Sequence, residues 1–96
     1  MIDFLKEAEE IKETLREYRR YFHRHPETSG QEFKTAEFIS EKLKACGLVV
    51  KEGVGAPLPG VIGCLKGGKA VPAGPTVALR ADMDALPVQE ESGCLF

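Results

Sequence analysis

Apolar residues recur at alternating spacings of four and three in the first 24 residues, which is the pattern of one helical face. The stripe consists of Phe4, Ala8, Ile11, Leu15, Tyr18 and Phe22. It predicts a helix over residues 4–24, with Asp3 as the N-cap. Acidic residues precede basic ones here, which complements the helix dipole. Pro26 disfavours helical geometry at His25, so the helix is expected to stop there.

A second amphipathic stretch predicts a helix from about residue 30 to residue 46. Ser29 and Glu32 have the spacing of a capping box, and Gly47 is the residue type expected just past a helix C-terminus. The inner stripe is formed by Ala36, Ile39, Leu43 and Cys46. Cys46 is therefore interpreted as a small core residue rather than a reactive thiol.

Three short apolar runs after this helix predict strands, at residues 48–51, 61–65 and 76–82. Stretches rich in glycine and proline separate them, and no crossover helix lies between the second run and the third. We therefore predict that residues 61–65 and 76–81 pair antiparallel. The predicted fold class is α/β, with two helices packed on a sheet of at least three strands and residues 76–82 central or next to central.

The third run ends in charged residues. Arg80, Asp82 and Asp84 alternate, so a strand would project them from one face, with successive members roughly 7 Å apart at a rise of about 3.3 Å per residue. Open α/β sheets hold their ligands at the carboxyl ends of such strands. Two interpretations remain open on spacing alone: a functional site, or a scaffold in which Arg80 pairs with Asp82 and an aspartate caps the next turn.

Composition narrows the classes of function. The 96 residues, 43% of them hydrophobic, suit one modest globular domain. A net charge of -2 gives no electrostatic footprint for nucleic acid, and no apolar run approaches the roughly 20 residues of a membrane span. Three cysteines without a C-x-x-C pair predict free thiols in a reducing cytoplasm. His23 and His25 lack partners at ligand spacing and are interpreted as structural or surface residues.

Three segments together resemble one protein family. They are His25-Pro26-Glu27 with Glu32 and Thr35, then Gly60-Val61-Ile62-Gly63, and then residues 78–87 (A-L-R-A-D-M-D-A-L-P) with Glu90 and Gly93. This combination is similar to the opening of the aminoacylase and carboxypeptidase-like family of two-metal peptidases. The subfamily that it resembles most is the N-acyl-amino-acid amidohydrolases, which includes hippurate hydrolase and the indole-acetyl-amino-acid hydrolases.

The resemblance implies both a fold and an activity. Residues 1–96 would form the N-terminal part of a mixed-sheet catalytic domain of the zinc-peptidase type, without the rest of that domain and without its inserted lid domain. Such enzymes hydrolyse the amide bond of small N-acyl amino acids, use two divalent metal ions (zinc, manganese or cobalt), and commonly form homodimers through the lid. The charge and the apolar pattern lead us to expect neither nucleic acid nor a membrane as a partner. The apolar ending at Leu95-Phe96 predicts a chain cut within a domain.

The resemblance also implies roles for the two aspartates. Asp84 matches the family's acidic residue that orients and tunes the metal site without binding the metal. Asp82 falls where other subfamilies have a metal-binding histidine, so it is a weaker candidate and ligand status is not carried over to it. The metal ligands and the general base lie further along such enzymes. We therefore expect residues 1–96 to contain no metal ligand and to be inactive alone. Because a sheet cut short leaves a strand edge unpaired and an apolar face uncovered, we also expect the chain to self-associate or to be marginally stable.

Two other readings compete with this one. A non-catalytic interaction module, or a degenerate gene product, would suit a chain that folds stably as it stands. A magnesium-dependent phosphoryl-transfer fragment could also carry Asp-x-Asp at a strand end. That reading expects a glycine and a threonine soon after the pair, whereas Ala85-Leu86-Pro87 follows here.

Overall fold

The computed structural model describes residues 2–67 and 74–93 of the chain. Three helices come first, α1 (Phe4–Glu10), α2 (Lys12–Arg24) and α3 (Phe33–Ala45), and two strands follow, β1 (Val49–Val54) and β2 (Gly60–Cys64). The strands form a two-stranded antiparallel sheet, against which α3 packs. The α/β class is thus confirmed, whereas the predicted sheet of at least three strands is not shown.

The first predicted helix is divided in two at Ile11. Asp3 caps α1 as predicted, with its carboxylate accepting from the Lys6 amide at 3.1 Å. Glu9 and Glu10 give a reason for the break, because negative charge is unfavourable at the C-terminus of α1 and favourable just before the N-terminus of α2. The predicted stop before Pro26 is confirmed, since α2 ends at Arg24.

The third helix begins later than predicted and without the predicted cap. Residues 28–31 form a turn closed by the Gln31 amide on the Thr28 carbonyl at 2.9 Å, so Ser29 lies outside the helix and the capping box is wrong. The C-terminus follows the prediction. Gly47 has φ +89°, and its amide and that of Leu48 donate to carbonyls of the last turn at 3.0 and 3.1 Å, which is a Schellman motif.

An aromatic cluster joins α2 to α3. Phe38 stacks on Tyr21 with ring centroids 4.3 Å apart, and the edges of Tyr18 and Phe22 meet it at 5.9 and 5.2 Å. The Lys42 ammonium lies 5.2 Å from the centre of the Phe38 ring and adds a cation–π contact. This cluster accounts for the positions of the apolar residues in the second half of the predicted stripe.

The buried residues of α3 include Ser40, which bonds to the hairpin. Thr35, Ala36 and Ser40 are 6%, 8% and 1% exposed. The Ser40 hydroxyl donates to the Glu52 carboxylate on β1, and the Lys44 ammonium lies 3.3 Å from the same carboxylate. These two donors lower the pKa of Glu52, first through the Ser40 hydrogen bond and then through Lys44. Cys46 is exposed rather than buried, so its interpretation as a core residue is wrong.

The hairpin pairs strands that were not predicted to be neighbours. Residues 61–65 were expected to pair with residues 76–81, but β2 pairs with β1, in a register that places Val50 opposite Gly63. Gly63 leaves room for α3 on the sheet, because a Cβ there would lie 2.9 Å from a Leu48 methyl group and 3.0 Å from a Leu43 methyl group. The predicted pairing with residues 76–81 is not shown, because those residues form no strand in this structure.

Residues 74–93 form neither a helix nor a strand, so the predicted central strand at residues 76–82 is not present. Val77 and Leu79 are 86% and 97% exposed. A strand is defined by its hydrogen-bonded neighbour, and within the described residues neither strand of the hairpin bonds to residues 76–82. The connecting loop predicted between the second and third runs lies largely outside the described residues. None of the helices in the described part of the chain is long and apolar enough to cross a membrane.

Candidate functional site

Glu27 connects the turn after α2 to the first turn of α3. Its carboxylate accepts hydrogen bonds from the Thr35 amide and hydroxyl, both at 2.5 Å, and from the Lys34 amide at 3.3 Å. The first turn of a helix has amides without an intrahelical partner, and Glu27 satisfies two of them in place of the expected serine. Partial burial raises the pKa of Glu27, but the Thr35 and Lys34 hydrogen bonds outweigh it and the pKa is lowered.

The main chain of Glu27 holds the segment that carries the aspartates. Its carbonyl accepts a hydrogen bond from the Ala85 amide at 2.8 Å. Ala85 directly follows Asp84, so this bond places the Asp84–Ala85 peptide beside the start of α3. The first and third segments of the family resemblance, which are some 50 residues apart in the chain, are thus in contact at this point.

A second link joins α2 to the same segment further along. His23 Nε2 lies 2.7 Å from Glu90 Oε2, and the Ser92 hydroxyl donates to the other oxygen of that carboxylate. The pKa of Glu90 is lowered, first by the Ser92 hydrogen bond and then by the His23 hydrogen bond. A cleft of about 800 Å³ opens along this contact, and its lining includes Pro26 and Pro87.

A smaller cleft, of about 170 Å³, lies between the helices and the aspartate segment. Its polar lining includes His25, Glu27, Thr35, Asp82 and Asp84. His25 Nδ1 lies 2.9 Å from the Tyr21 carbonyl, and the His25 ring stacks on the Tyr21 ring at 4.5 Å. A carbonyl can only accept, so in the neutral ring Nδ1 carries the hydrogen and Nε2 is left as an acceptor.

Asp82 and Asp84 line this cleft without the strand geometry expected of them. Both lie in the segment without regular structure, so the predicted projection of Arg80, Asp82 and Asp84 from one strand face is not shown. Arg80 lies 3.2 Å from Asp82, in an exposed ion pair that agrees with the scaffold interpretation for this residue. Asp84 is restrained through its neighbour Ala85, whose amide donates to the Glu27 carbonyl.

The described residues do not assemble a metal centre. No group of three or more histidine, cysteine, aspartate or glutamate side chains within residues 2–67 and 74–93 is arranged to hold a metal ion. His23 is engaged with Glu90, and the Glu27 carboxylate is engaged with α3. The ligand set therefore does not fit a resident metal ion, and no reaction step through such an ion can be assigned to these side chains. The described cysteines, Cys46 and Cys64, are free.

Sequence reasoning missed the partners that hold the site together. Glu27 was singled out only as part of a motif, although a carboxylate shortly before a helix start is a candidate for its N-terminal amides. The spacing of Ser29 and Glu32 is that of a capping box, so the cap was assigned to Ser29 instead. The contact between His23 and Glu90 spans 67 positions, and no local pattern in a single sequence signals it.

The chain is similar in sequence to curated hydrolases. It is 43% identical over 97 residues to Thermostable carboxypeptidase 2 of Saccharolobus solfataricus, an alignment that covers 100% of this chain and 24% of the relative. It is 42% identical over 90 residues to N-acyl-L-amino acid amidohydrolase of Geobacillus stearothermophilus, which covers 88% and 22%. It is 36% identical over 89 residues to hippurate hydrolase of Campylobacter jejuni, which covers 93% and 22%.

No family model and no solved structure matches the chain. The chain spans roughly a quarter of the length of the curated relatives that it matches. These relatives nonetheless confirm the resemblance read from the three segments, since identity at this level covers the whole chain or nearly all of it. The chain is a homologue of part of the amidohydrolases and carboxypeptidases that carry these names.

Proposed function

We propose that the protein to which this chain belongs is a metal-dependent hydrolase that cleaves the amide bond of N-acyl amino acids. The observation that carries the proposal is the similarity to enzymes named as amidohydrolases, hippurate hydrolase among them, over nearly the whole chain. The contact between the Glu27 turn and the Asp84–Ala85 peptide supports it, because two of the family-like segments meet there.

In this proposal Asp84 orients the metal site and does not bind the metal. The metal pair, of zinc, manganese or cobalt, would be held by residues outside the described part of this chain, because the described residues offer no ligand set. Asp82 is a weaker candidate, because it is exposed and paired with Arg80. Residues 1–96 alone are proposed to be inactive, since a hydrolase of this type needs a base within reach of a metal-bound water.

The finer expectations about architecture belong to the same proposal. We propose that the hairpin and residues 76–82 belong to a larger mixed sheet in a peptidase-like catalytic domain, where residues 76–82 would gain a strand partner. The exposed Val77 and Leu79 support this, because an apolar run of this kind is typical of a strand covered on both faces. A homodimeric, cytoplasmic enzyme is proposed on the family resemblance and on the free thiols.

The test compares the full gene product with residues 1–96. Both are stripped with a chelator and assayed for release of amino acid from N-acetyl and N-benzoyl amino acids, before and after addition of zinc or manganese. We expect metal-restored activity in the full product and none in residues 1–96. Calorimetric titration of residues 1–96 with either metal should show weak binding of no defined stoichiometry. A full product without amidase activity under every metal condition would refute the proposal.

A further inference from the structure

Glu27 makes two kinds of contact at opposite ends of the same residue. Its side chain is held by three donors at the start of α3, and its carbonyl holds the amide of Ala85. We propose that Glu27 is a positioning residue that fixes Asp84 against the start of α3. This inference rests on the proposed function for the meaning of Asp84, but the contact itself can be tested without it.

The direction of the Glu27 carbonyl follows from the way the residue is restrained. The preceding Pro26 has a fixed φ, and the Gln31 amide closes the turn that follows onto the Thr28 carbonyl at 2.9 Å. The carboxylate adds hydrogen bonds to α3, and those to a charged group are roughly twice as strong as neutral ones. These restraints on either side of Glu27, together with its bonded side chain, limit the directions available to its carbonyl.

The amide that donates to the Glu27 carbonyl belongs to the peptide between Asp84 and Ala85. A peptide unit is planar, so the Ala85 amide and the Asp84 Cα lie in one plane. Holding that amide at 2.8 Å therefore restrains the position of the Asp84 Cα, from which the side chain leaves the main chain. Displacement of an orienting group by about 1 Å can cost on the order of 100-fold in rate, which makes this anchor consequential for a residue whose role is to orient.

The contact between His23 and Glu90 is a separate attachment of the same segment. It lies six residues beyond Asp84. Loss of the Glu27 side chain should therefore loosen the segment near Ala85 while Glu90 remains attached. This local pattern separates a positioning role for Glu27 from a general loss of folding.

The experiment uses the full gene product with Glu27→Ala, Glu27→Gln and, as the matched control, Glu37→Gln on the exposed side of α3. Glu27→Gln keeps the size of the side chain and one acceptor oxygen, so it serves where Glu27→Ala fails to fold. Amide hydrogen exchange is followed at Ala85 and in the first turn of α3. Zinc affinity, kcat and KM are measured on the same preparations.

We expect exchange at Ala85 to be about 10-fold faster in Glu27→Ala, less accelerated in Glu27→Gln and unchanged in Glu37→Gln. Zinc affinity and kcat should fall in the same order, by about 10-fold in Glu27→Ala, with KM little changed. Excess zinc should restore only part of the activity, which loss of helix stability alone would not produce.

Two results would overturn the inference. In the first, exchange accelerates in the first turn of α3 but not at Ala85, so that Glu27 is only a helix cap. In the second, Ala85 is released but zinc affinity and kcat stay at the wild-type level. The proposed function fails by a different route, through an inactive wild-type product or an Asp84→Asn variant with full turnover, so the two failures are distinguishable.

Discussion

The part of the molecule from α2 to β2 and the segment from residue 74 to residue 93 differ in what holds them. The first part has ladders of backbone hydrogen bonds, an aromatic cluster between two helices and a helix packed on a hairpin. The second has no regular structure in this chain, and it contacts the first part through the Ala85 amide and the Glu90 carboxylate. The segment nevertheless contains both candidate aspartates.

This difference between the two regions shows which elements can form from contacts that are local in sequence. A helix satisfies its own backbone within four residues, and a hairpin does so between neighbouring strands. A central strand depends on partners that are distant in sequence, and among residues 2–67 and 74–93 no strand pairs with residues 76–82. The residues proposed to act in catalysis therefore lie in the region whose order depends most on contacts with other parts of the protein.

The strongest test of the comparison is a pair of truncations, Phe38→Ala in the aromatic cluster and Leu79→Ala in the segment. In residues 1–96, Phe38→Ala should lower the free energy of unfolding by about 3 kcal/mol, because a large aromatic contact is lost. Leu79→Ala should change it by less than about 0.5 kcal/mol, because that side chain is fully exposed. Urea unfolding followed by circular dichroism measures both.

The same pair in the full gene product sharpens the comparison. If residues 76–82 gain strand partners there, Leu79→Ala should cost about 2 kcal/mol or more, since the leucine would then be buried. A cost that stays near zero in the full product would refute the larger sheet that we propose.

Asp84→Asn gives the next largest effect, on activity rather than stability. The substitution keeps the shape of the side chain and removes its charge. In the full gene product it should lower turnover by about 10–100-fold, with excess metal restoring only part, because carboxylates that orient a metal site typically contribute this much. Steady-state kinetics and metal analysis on the same preparation measure the turnover and the metal content.

Asp3→Asn is the control for this substitution, since Asp3 caps the exposed helix α1 far along the chain from the cleft. It should be nearly silent in turnover. Full turnover and full metal content in Asp84→Asn would show that the aspartate is a turn residue, as the scaffold interpretation holds.

Local sequence signals account for much of the first region and little of the second. Asp3, Pro26 and Gly47 mark helix ends that the structure confirms, because a cap acts within a few residues. The strand at residues 61–65 was placed nearly correctly, but its partner β1 was not predicted, because a strand pattern specifies a face and not a neighbour. The same limit explains why residues 76–82 were expected to form a strand.

For the candidate site, the sequence indicated the residues but not the contacts between them. The resemblance drew attention to Glu27, Thr35, Asp84 and Glu90; the structure brings the first three to one cleft and Glu90 to a contact with His23. That Glu27 rather than Ser29 caps α3 depends on the turn at residues 28–31, which no capping pattern in the sequence specifies.

Acid should weaken the link between the two regions at Glu27. Its pKa lies below the ordinary value of 4.5, so the carboxylate stabilises the folded state above that pH, and this contribution is lost as the pH falls below 4.5 through the lowered pKa. The difference in urea midpoint between wild type and Glu27→Gln should be constant at pH values more than about one unit above 4.5, and it should shrink as the pH falls below 4.5. A difference that grows on acidification would contradict the assigned direction.

The smallest effect is expected from the ion pair between Arg80 and Asp82, which lies wholly within the loosely held segment. Both side chains are exposed, so Arg80→Ala should change the free energy of unfolding by less than about 1 kcal/mol, and added salt should abolish even that.

Asp82→Asn, compared with Arg80→Ala, tests whether Asp82 does more than form this ion pair. If Asp82 only pairs with Arg80, the two variants should have the same small effect on turnover in the full gene product. If Asp82 also acts at the site, Asp82→Asn alone should lower turnover, by less than Asp84→Asn does. A double-mutant cycle decides between these outcomes, because a simple ion pair makes the second substitution silent once the first is present.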